Sequence, residues 1–148
     1  MRLTHLALRD YRALAEFRYQ LRRFLHFSDR AVRAAGLEPR QHQLLLAVKG
    51  MPEGAPPTIG ALAERLRLQH HSTVELVDRM EVRKLVRRLR STTDRRRVLV
   101  GLTARGDLLL ARLSAAHRAE VRSIGPHLRR ALDAVVTDME ASRAAASR

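Results

Sequence analysis

The stretch QHHSTVELVDRMEVRKLVRRLRSTTDRRRVLVGLT, residues 69–103, decides the fold. Its first half keeps helical spacing: Thr73, Leu76, Val77 and Met80 fall at i, i+3, i+4 and i+7 and make one buried face. The opposite face carries His70, His71, Val74, Glu75 and Asp78, so something other than the core must want it. After Lys84 the period shortens to two, with Leu85, Arg87 and Leu89 alternating with Val86, Arg88 and Arg90. Val98-Leu99-Val100 resumes beyond Ser91-Thr92-Thr93-Asp94, which predicts a two-stranded hairpin whose tip holds Arg95, Arg96 and Arg97. Upstream, Ile59, Leu62, Ala63 and Leu66 trace a short amphipathic helix with Thr58 as its N-cap. Arg67, Leu68 and Gln69 separate the two helices, which is the spacing of a helix-turn-helix. A helix-turn-helix followed by a basic hairpin is a winged helix.

The order LAERL…STVELVDRMEVRKLV…TDRRRVLVGLTARG resembles the MarR family of bacterial transcription regulators. The resemblance is continuous from Leu62 to Gly106 and looser over the flanking helices. Its best marks are Leu76-Val77-Asp78-Arg79, Asp94-Arg95-Arg96 and Leu102-Thr103-Ala104-Arg105-Gly106. Family members often carry Gly where this chain has Arg67 and Lys84, so both turns lack the residue that adopts φ > 0 most cheaply. The resemblance implies a two-fold dimer and maps an Asp-x-Arg pattern onto Asp94 and Arg96. There the carboxylate would orient the guanidinium, which enters the minor groove and reads its width. It also implies a small-molecule effector, held in a cleft between the dimer helices and the winged helix. Tyr11, Phe17, Phe24 and His26 are candidates to line that cleft, and core packing explains them equally well.

Charge points the same way. The 148 residues carry a formal net charge of +14, and residues 83–97 alone hold eight basic side chains against Asp94, half of the surplus. A solvated charged face usually mixes both signs, as residues 104–148 do; concentration of one sign is the footprint of a polyanion binder. At 45% apolar and 3% aromatic with no Trp, the chain can bury a core, and an aliphatic one. Having no cysteine, it uses no thiol redox sensing, disulfide or Cys-ligated zinc. The longest apolar run, Leu44 to Val48, is far short of the ~20 residues of a membrane span, and MRLTHLALRDY lacks a signal layout. The expected location is therefore cytoplasmic.

Around the centre, Leu14, Phe17, Leu21, Phe24, Leu25, Phe27, Ala31, Val32 and Ala35 trace a wide apolar stripe uninterrupted by Pro or Gly from Tyr11 to Ala35. It predicts one helix of about 25 residues and ~38 Å, stopped by Gly36, with Pro39 opening the next helix. Residues 39–49 place Leu44, Leu45 and Val48 inward, and residues 50–57 read as a loop and a joint in the chain. Thr103 should cap a helix with Leu110, Leu113, His117, Val121 and Ile124 on one face. Gly125-Pro126 should break and restart it, leaving Leu128, Ala131, Leu132, Val135, Val136 and Met139 as a last stripe and a fraying tail at 141–148. Terminal helices more apolar than a monomer needs argue for a dimer built from the ends of the chain.

For chemistry, His70, His71, Val74 and Glu75 project near the start of the presumed recognition helix, where base edges are met. Val74 suits a thymine methyl, Glu75 a cytosine N4 donor, and the imidazoles purine acceptors or phosphate. Ser72 is a phosphate or cap candidate. Arg87, Arg88 and Arg90 suit phosphates, which give affinity rather than sequence choice. Asp78 fits an intramolecular pair to the wing better than a base contact. His26, His42 and His117 lie on the flanking helices, near where some MarR-like proteins sense zinc. Without HxxxH spacing, and with only Asp29 and Glu38 at helical spacing from His26 and His42, no metal is expected. His117 on an apolar stripe suits a hydrogen-bonded packing role. There is no Gly-rich phosphate loop and no nucleophile with a base, and Ser72 does not face His70 or His71, so neither an enzyme nor a cofactor is expected.

These readings converge on a mostly α fold with a small β-hairpin wing, a winged helix-turn-helix flanked by long dimerisation helices. Residues 1–57 would form the first dimerisation helix and a support helix, 58–103 the DNA-binding domain, and 104–148 the C-terminal dimerisation helices. The expected function is a ligand-responsive repressor that binds a palindromic operator on double-stranded DNA as a homodimer. Two alternatives are a sequence-blind architectural nucleic-acid binder and a helical adaptor whose winged helix binds protein.

Overall fold

A computed structural model describes residues 6–146, with side chains up to residue 137. Among the described residues the order is α1 (Leu8–Ala34), α2 (Pro39–Lys49), α3 (Ile59–Leu66), α4 (His70–Val82), β1 (Val86–Arg90), β2 (Val98–Leu102) and α5 (Ala104–Ala146). The chain forms two compact units. One contains residues up to Arg30 and from Ala116 onward, the other runs from Ala31 to Ala115.

In the second unit the predicted aliphatic core is present. Val32, Leu37, Leu44, Leu45, Leu62, Leu76, Val77, Met80, Leu85, Val86, Val100, Leu110 and Leu113 are all buried, with no aromatic ring among them. Three helices of this unit end in the same way. At the end of α1, Gly36 takes φ +77° and Leu37 N–H donates to the Val32 carbonyl (3.1 Å). At the end of α3, Arg67 takes φ +53° and Leu68 donates to Ala63 (3.0 Å); at the end of α4, Lys84 takes φ +57° and Leu85 donates to Met80 (3.0 Å). Each is a Schellman stop: a left-handed residue lets the next amide close on a free carbonyl, and an apolar residue there packs back on the last turn. In each case that residue is a leucine. Arg67 and Lys84 thus hold a conformation that costs a non-glycine roughly 1–2 kcal/mol, and the buried Leu85 and half-buried Leu68 behind them fix it.

Helix starts at Thr58 and Thr103 follow the expected caps, and α2 adds one at Glu38. Thr58 Oγ1 accepts from Ala61 N–H (3.2 Å), Thr103 Oγ1 accepts from Gly106 N–H (3.0 Å), and Gln41 Oε1 accepts from Glu38 N–H (3.0 Å). The strands pair antiparallel with Arg88 opposite Val100. Val100 N–H donates outward to the Pro57 carbonyl (2.9 Å), and Thr58 bridges Leu99, so the outer edge of β2 is tied to the chain leading into α3. The loop of residues 50–57 therefore lies inside this unit.

The first unit holds most of α1 and the later part of α5. His117 sits half-buried with Nε2 2.8 Å from Ser28 Oγ, and Phe24 and Phe27 pack near-perpendicular to its ring at centroid distances of 6.1 and 5.7 Å. It has the packed, hydrogen-bonded role expected of it. One expectation is corrected here. Gly125-Pro126 does not break the helix: α5 runs through Pro126. Pro126 is exposed, so the Arg122 carbonyl that loses its helical partner faces water, and the buried Ile124 and Ala131, seven residues apart, keep one face continuous across the proline. Val121, placed with Ile124 on one apolar face, is 49% exposed in the single chain. Leu14, Leu25, Leu132 and Val136 are similarly uncovered. The side chains of Met139 and of the tail are outside the described side chains.

Candidate nucleic-acid interface

On α4 the buried face is Thr73, Leu76, Val77 and Met80, as the spacing predicts. His70, His71, Glu75 and Asp78 are exposed, while Ser72 and Val74 are half-buried. Ser72 is the third residue of the helix rather than its cap; that place belongs to Gln69, whose side chain makes no capping bond. Thr73 Oγ1 donates back to the Gln69 carbonyl (3.1 Å), which holds the first turn closed from the buried side.

The wing tip is built from its own polar groups. Ser91 is buried, its N–H donates to the Arg97 carbonyl (3.1 Å), and its Oγ accepts from Thr93 and Asp94 N–H (3.3 Å each). Asp94 Oδ1 accepts from the Arg96 backbone N–H (3.0 Å) and from Arg96 Nε (3.3 Å). The Arg96 side chain is 93% exposed beyond that anchor, so the carboxylate orients a guanidinium that otherwise faces solvent. Arg95 and Arg97 flank it, and Arg87 and Arg90 face out from β1.

Besides Arg96, two of the eight basic residues of 83–97 bond other parts of the protein. Arg83 Nη1 donates to Gln41 Oε1 (2.9 Å) and Nη2 to the Gly36 carbonyl (2.8 Å), tying the end of α4 to the turn between α1 and α2. Arg88, expected to meet phosphate, instead turns onto α4. Its Nη2 donates to Asp78 Oδ1 (2.6 Å) and its Nη1 to Glu81 Oε2. Its backbone N–H donates to Glu81 Oε1 (3.0 Å). Burial pulls the guanidinium pKa down, but the hydrogen bonds and charges of Asp78 and Glu81 outweigh this, and it stands raised. The pair expected for Asp78 is present. Glu81 and Arg83 were missed. The only sequence signal for Glu81 is its i, i+3 spacing from Asp78, which puts two carboxylates on the side of α4 that β1 approaches.

Among the described residues, no group of three or more His, Asp or Glu side chains could hold a metal ion, and no helix is long and apolar enough to cross a membrane.

The MarR family model matches residues 35–97. The chain is similar in structure to CouR, a transcriptional repressor solved bound to a 23-mer DNA duplex, at 27% identity and TM-score 0.62, over 83% of this chain and 87% of CouR. It is similar to AbsC, a MarR family transcriptional regulator from Streptomyces coelicolor, at 23% identity and TM-score 0.67, over 84% of this chain and 82% of AbsC. A mutant of S. aureus MepR bound to an oligodeoxyribonucleotide shares the fold at 19% identity and TM-score 0.62, over 85% of this chain and 94% of that one. No curated protein sequence matches the chain. The chain thus matches the MarR family model over residues 35–97 and shares its winged-helix fold with these transcription regulators.

Proposed function

We propose that the chain is a sequence-specific DNA-binding regulator, a repressor that binds a palindromic operator as a homodimer and responds to a small-molecule effector. The observation that carries the reading is the pairing, within one folded unit, of an outward α4 face with a wing whose Arg87, Arg90, Arg95, Arg96 and Arg97 are exposed. An α-helix fits the major groove, and a cationic wing beside it fits the backbone and the narrower minor groove. On this reading His70, His71, Ser72, Val74 and Glu75 meet base edges and nearby phosphates. Arg87, Arg90, Arg95 and Arg97 meet phosphates, and Arg96, held by Asp94, enters the minor groove. CouR and MepR, both solved with DNA, support the same use of the shared fold.

The dimer reading is supported by the uncovered leucines and valines of α1 and α5, since exposed apolar stripes on long helices are stabilised by a second copy. Residues 58–103 are the DNA-reading centre on this view, with 1–57 supplying a dimerisation helix and a support helix and 104–148 the C-terminal dimerisation helices. Effector response rests on the family resemblance alone. The test is selection of bound duplexes from a random DNA pool, followed by competition with random DNA. A recovered palindrome with discrimination of roughly 10³ or more supports a regulator; binding without sequence preference supports the architectural alternative.

A further inference from the structure

We infer that Arg88 is a positioning residue of the DNA interface, a strut that sets the wing at a fixed angle to α4. The inference rests on the DNA-binding reading above. Geometry carries it first. Val100 sends its N–H to Pro57 and stands opposite Arg88, so this pair shares no ladder hydrogen bond and the Arg88 N–H points away from β2. Glu81 receives it there, and Glu81 and Asp78 together hold the guanidinium of the same residue. One residue at the middle of β1 is thus gripped through both backbone and side chain by two positions of α4, one helical turn apart. The opposite edge of the wing is tied at Thr58 and Pro57. The base of the wing is clamped on both sides, while its tip carries Arg96.

Charge carries it second. Asp78, Glu81 and Arg88 sum to one net negative charge beside a wing that presents Arg87, Arg90, Arg95, Arg96 and Arg97. Placed within a Debye length of ~8–10 Å from phosphate, such a charge weakens attraction to DNA. A plain electrostatic clamp would leave Arg88 free and omit both carboxylates. Here a cation is withheld from the polyanion and used to fix distance. The consequence is that the spacing between bases read by α4 and the flank read by Arg96 is constant, so the protein discriminates operators by that spacing.

Two measurements on the full-length protein test this. The chain has no cysteine, so Arg79→Cys/Thr92→Cys gives a clean pair of spin-label sites on α4 and the wing tip. Without DNA, the distance distribution should be narrow, and should broaden on adding Asp78→Asn/Glu81→Gln, whose side chains keep their shape and lose their charge. An unchanged distribution overturns the strut, whatever the protein binds. The second measurement is a salt titration on the selected operator, on one with a base pair inserted between core and flank, and on random DNA. Asp78→Asn/Glu81→Gln frees Arg88 for phosphate, so affinity for random DNA should rise and the salt dependence steepen by about one in log-log slope. Preference for the correctly spaced operator should fall about tenfold or more. Arg88→Ala should lose the same preference with its slope unchanged. A slope flattened by about one with the preference intact would make Arg88 an ordinary phosphate contact and overturn the inference. If the wild-type protein binds no DNA, the proposed function fails, and the label distances still decide the strut.

Discussion

Gly106 lies directly against the backbone of Leu85: a Cβ built on it would sit 2.0 Å from the Leu85 carbonyl oxygen. Beside it, Thr103 Oγ1 donates to the Lys84 carbonyl (2.7 Å) and Thr103 N–H to Leu85 O (3.1 Å). The start of α5, the turn after α4 and the base of the wing therefore meet at one point that only a glycine fits. Gly106→Ala should destabilise the fold by about 1–3 kcal/mol, the range for overpacking a site whose neighbour is backbone. Thermal unfolding of the variant measures it, and an unchanged midpoint would mean that α5 shifts freely at this contact.

Lys84 offers the opposite change. It is exposed and holds φ +57°, so glycine relieves strain there without removing packing. Lys84→Gly should stabilise by about 0.5–1 kcal/mol, the αL penalty less the extra freedom glycine has when unfolded. Lys84→Ala loses the same charge and keeps the strain, so its midpoint should not rise. Equal midpoints for the two variants would refute the account.

On the proposed reading the wing arginines divide by role. Arg87→Ala should weaken all DNA alike and flatten the salt slope by about one, because a phosphate contact releases a counterion. Arg96→Lys keeps the charge but loses the planar fork that Asp94 holds. Its slope should stay nearly constant while preference for A·T-rich flanks drops by roughly 1–3 kcal/mol. Salt titrations on two operators differing only in their flanks separate these outcomes, and equal losses on both would make the wing a plain clamp.

Assembly is tested on the uncovered face. Val121 and Leu132 are 49% and 44% exposed in the single chain, so Val121→Glu/Leu132→Glu leaves the fold of one chain nearly undisturbed. Light scattering after gel filtration should report a dimer for the wild type and a folded monomer for the variant. Removing residues 126–148 should likewise give insoluble or non-dimeric protein. A double variant that remains a dimer would place the interface elsewhere.

Much of the fold was legible in residues 58–106 because the signals there are local. The caps at Thr58 and Thr103 and the stop at Gly36 each depend on partners within five residues, and the buried stripe of α4 repeats every three or four positions from Thr73 to Met80, so spacing alone reports them. The left-handed turns at Arg67 and Lys84 were legible only as places where a glycine was missing; the leucine that follows each supplies the reason they persist. What tertiary structure alone decided is where the long side chains go. A run of eight basic residues states how much charge is present, and nothing in it says that Arg83 closes on Gln41 and Gly36 or that Arg88 closes on Asp78 and Glu81. Those partners are set by which elements pack together, as is the passage of α5 through Pro126, where burial of Ile124 and Ala131 overrides a local breaking signal. Local spacing determines the elements; a flexible charged side chain takes its partner from the packing, and only the folded chain specifies that.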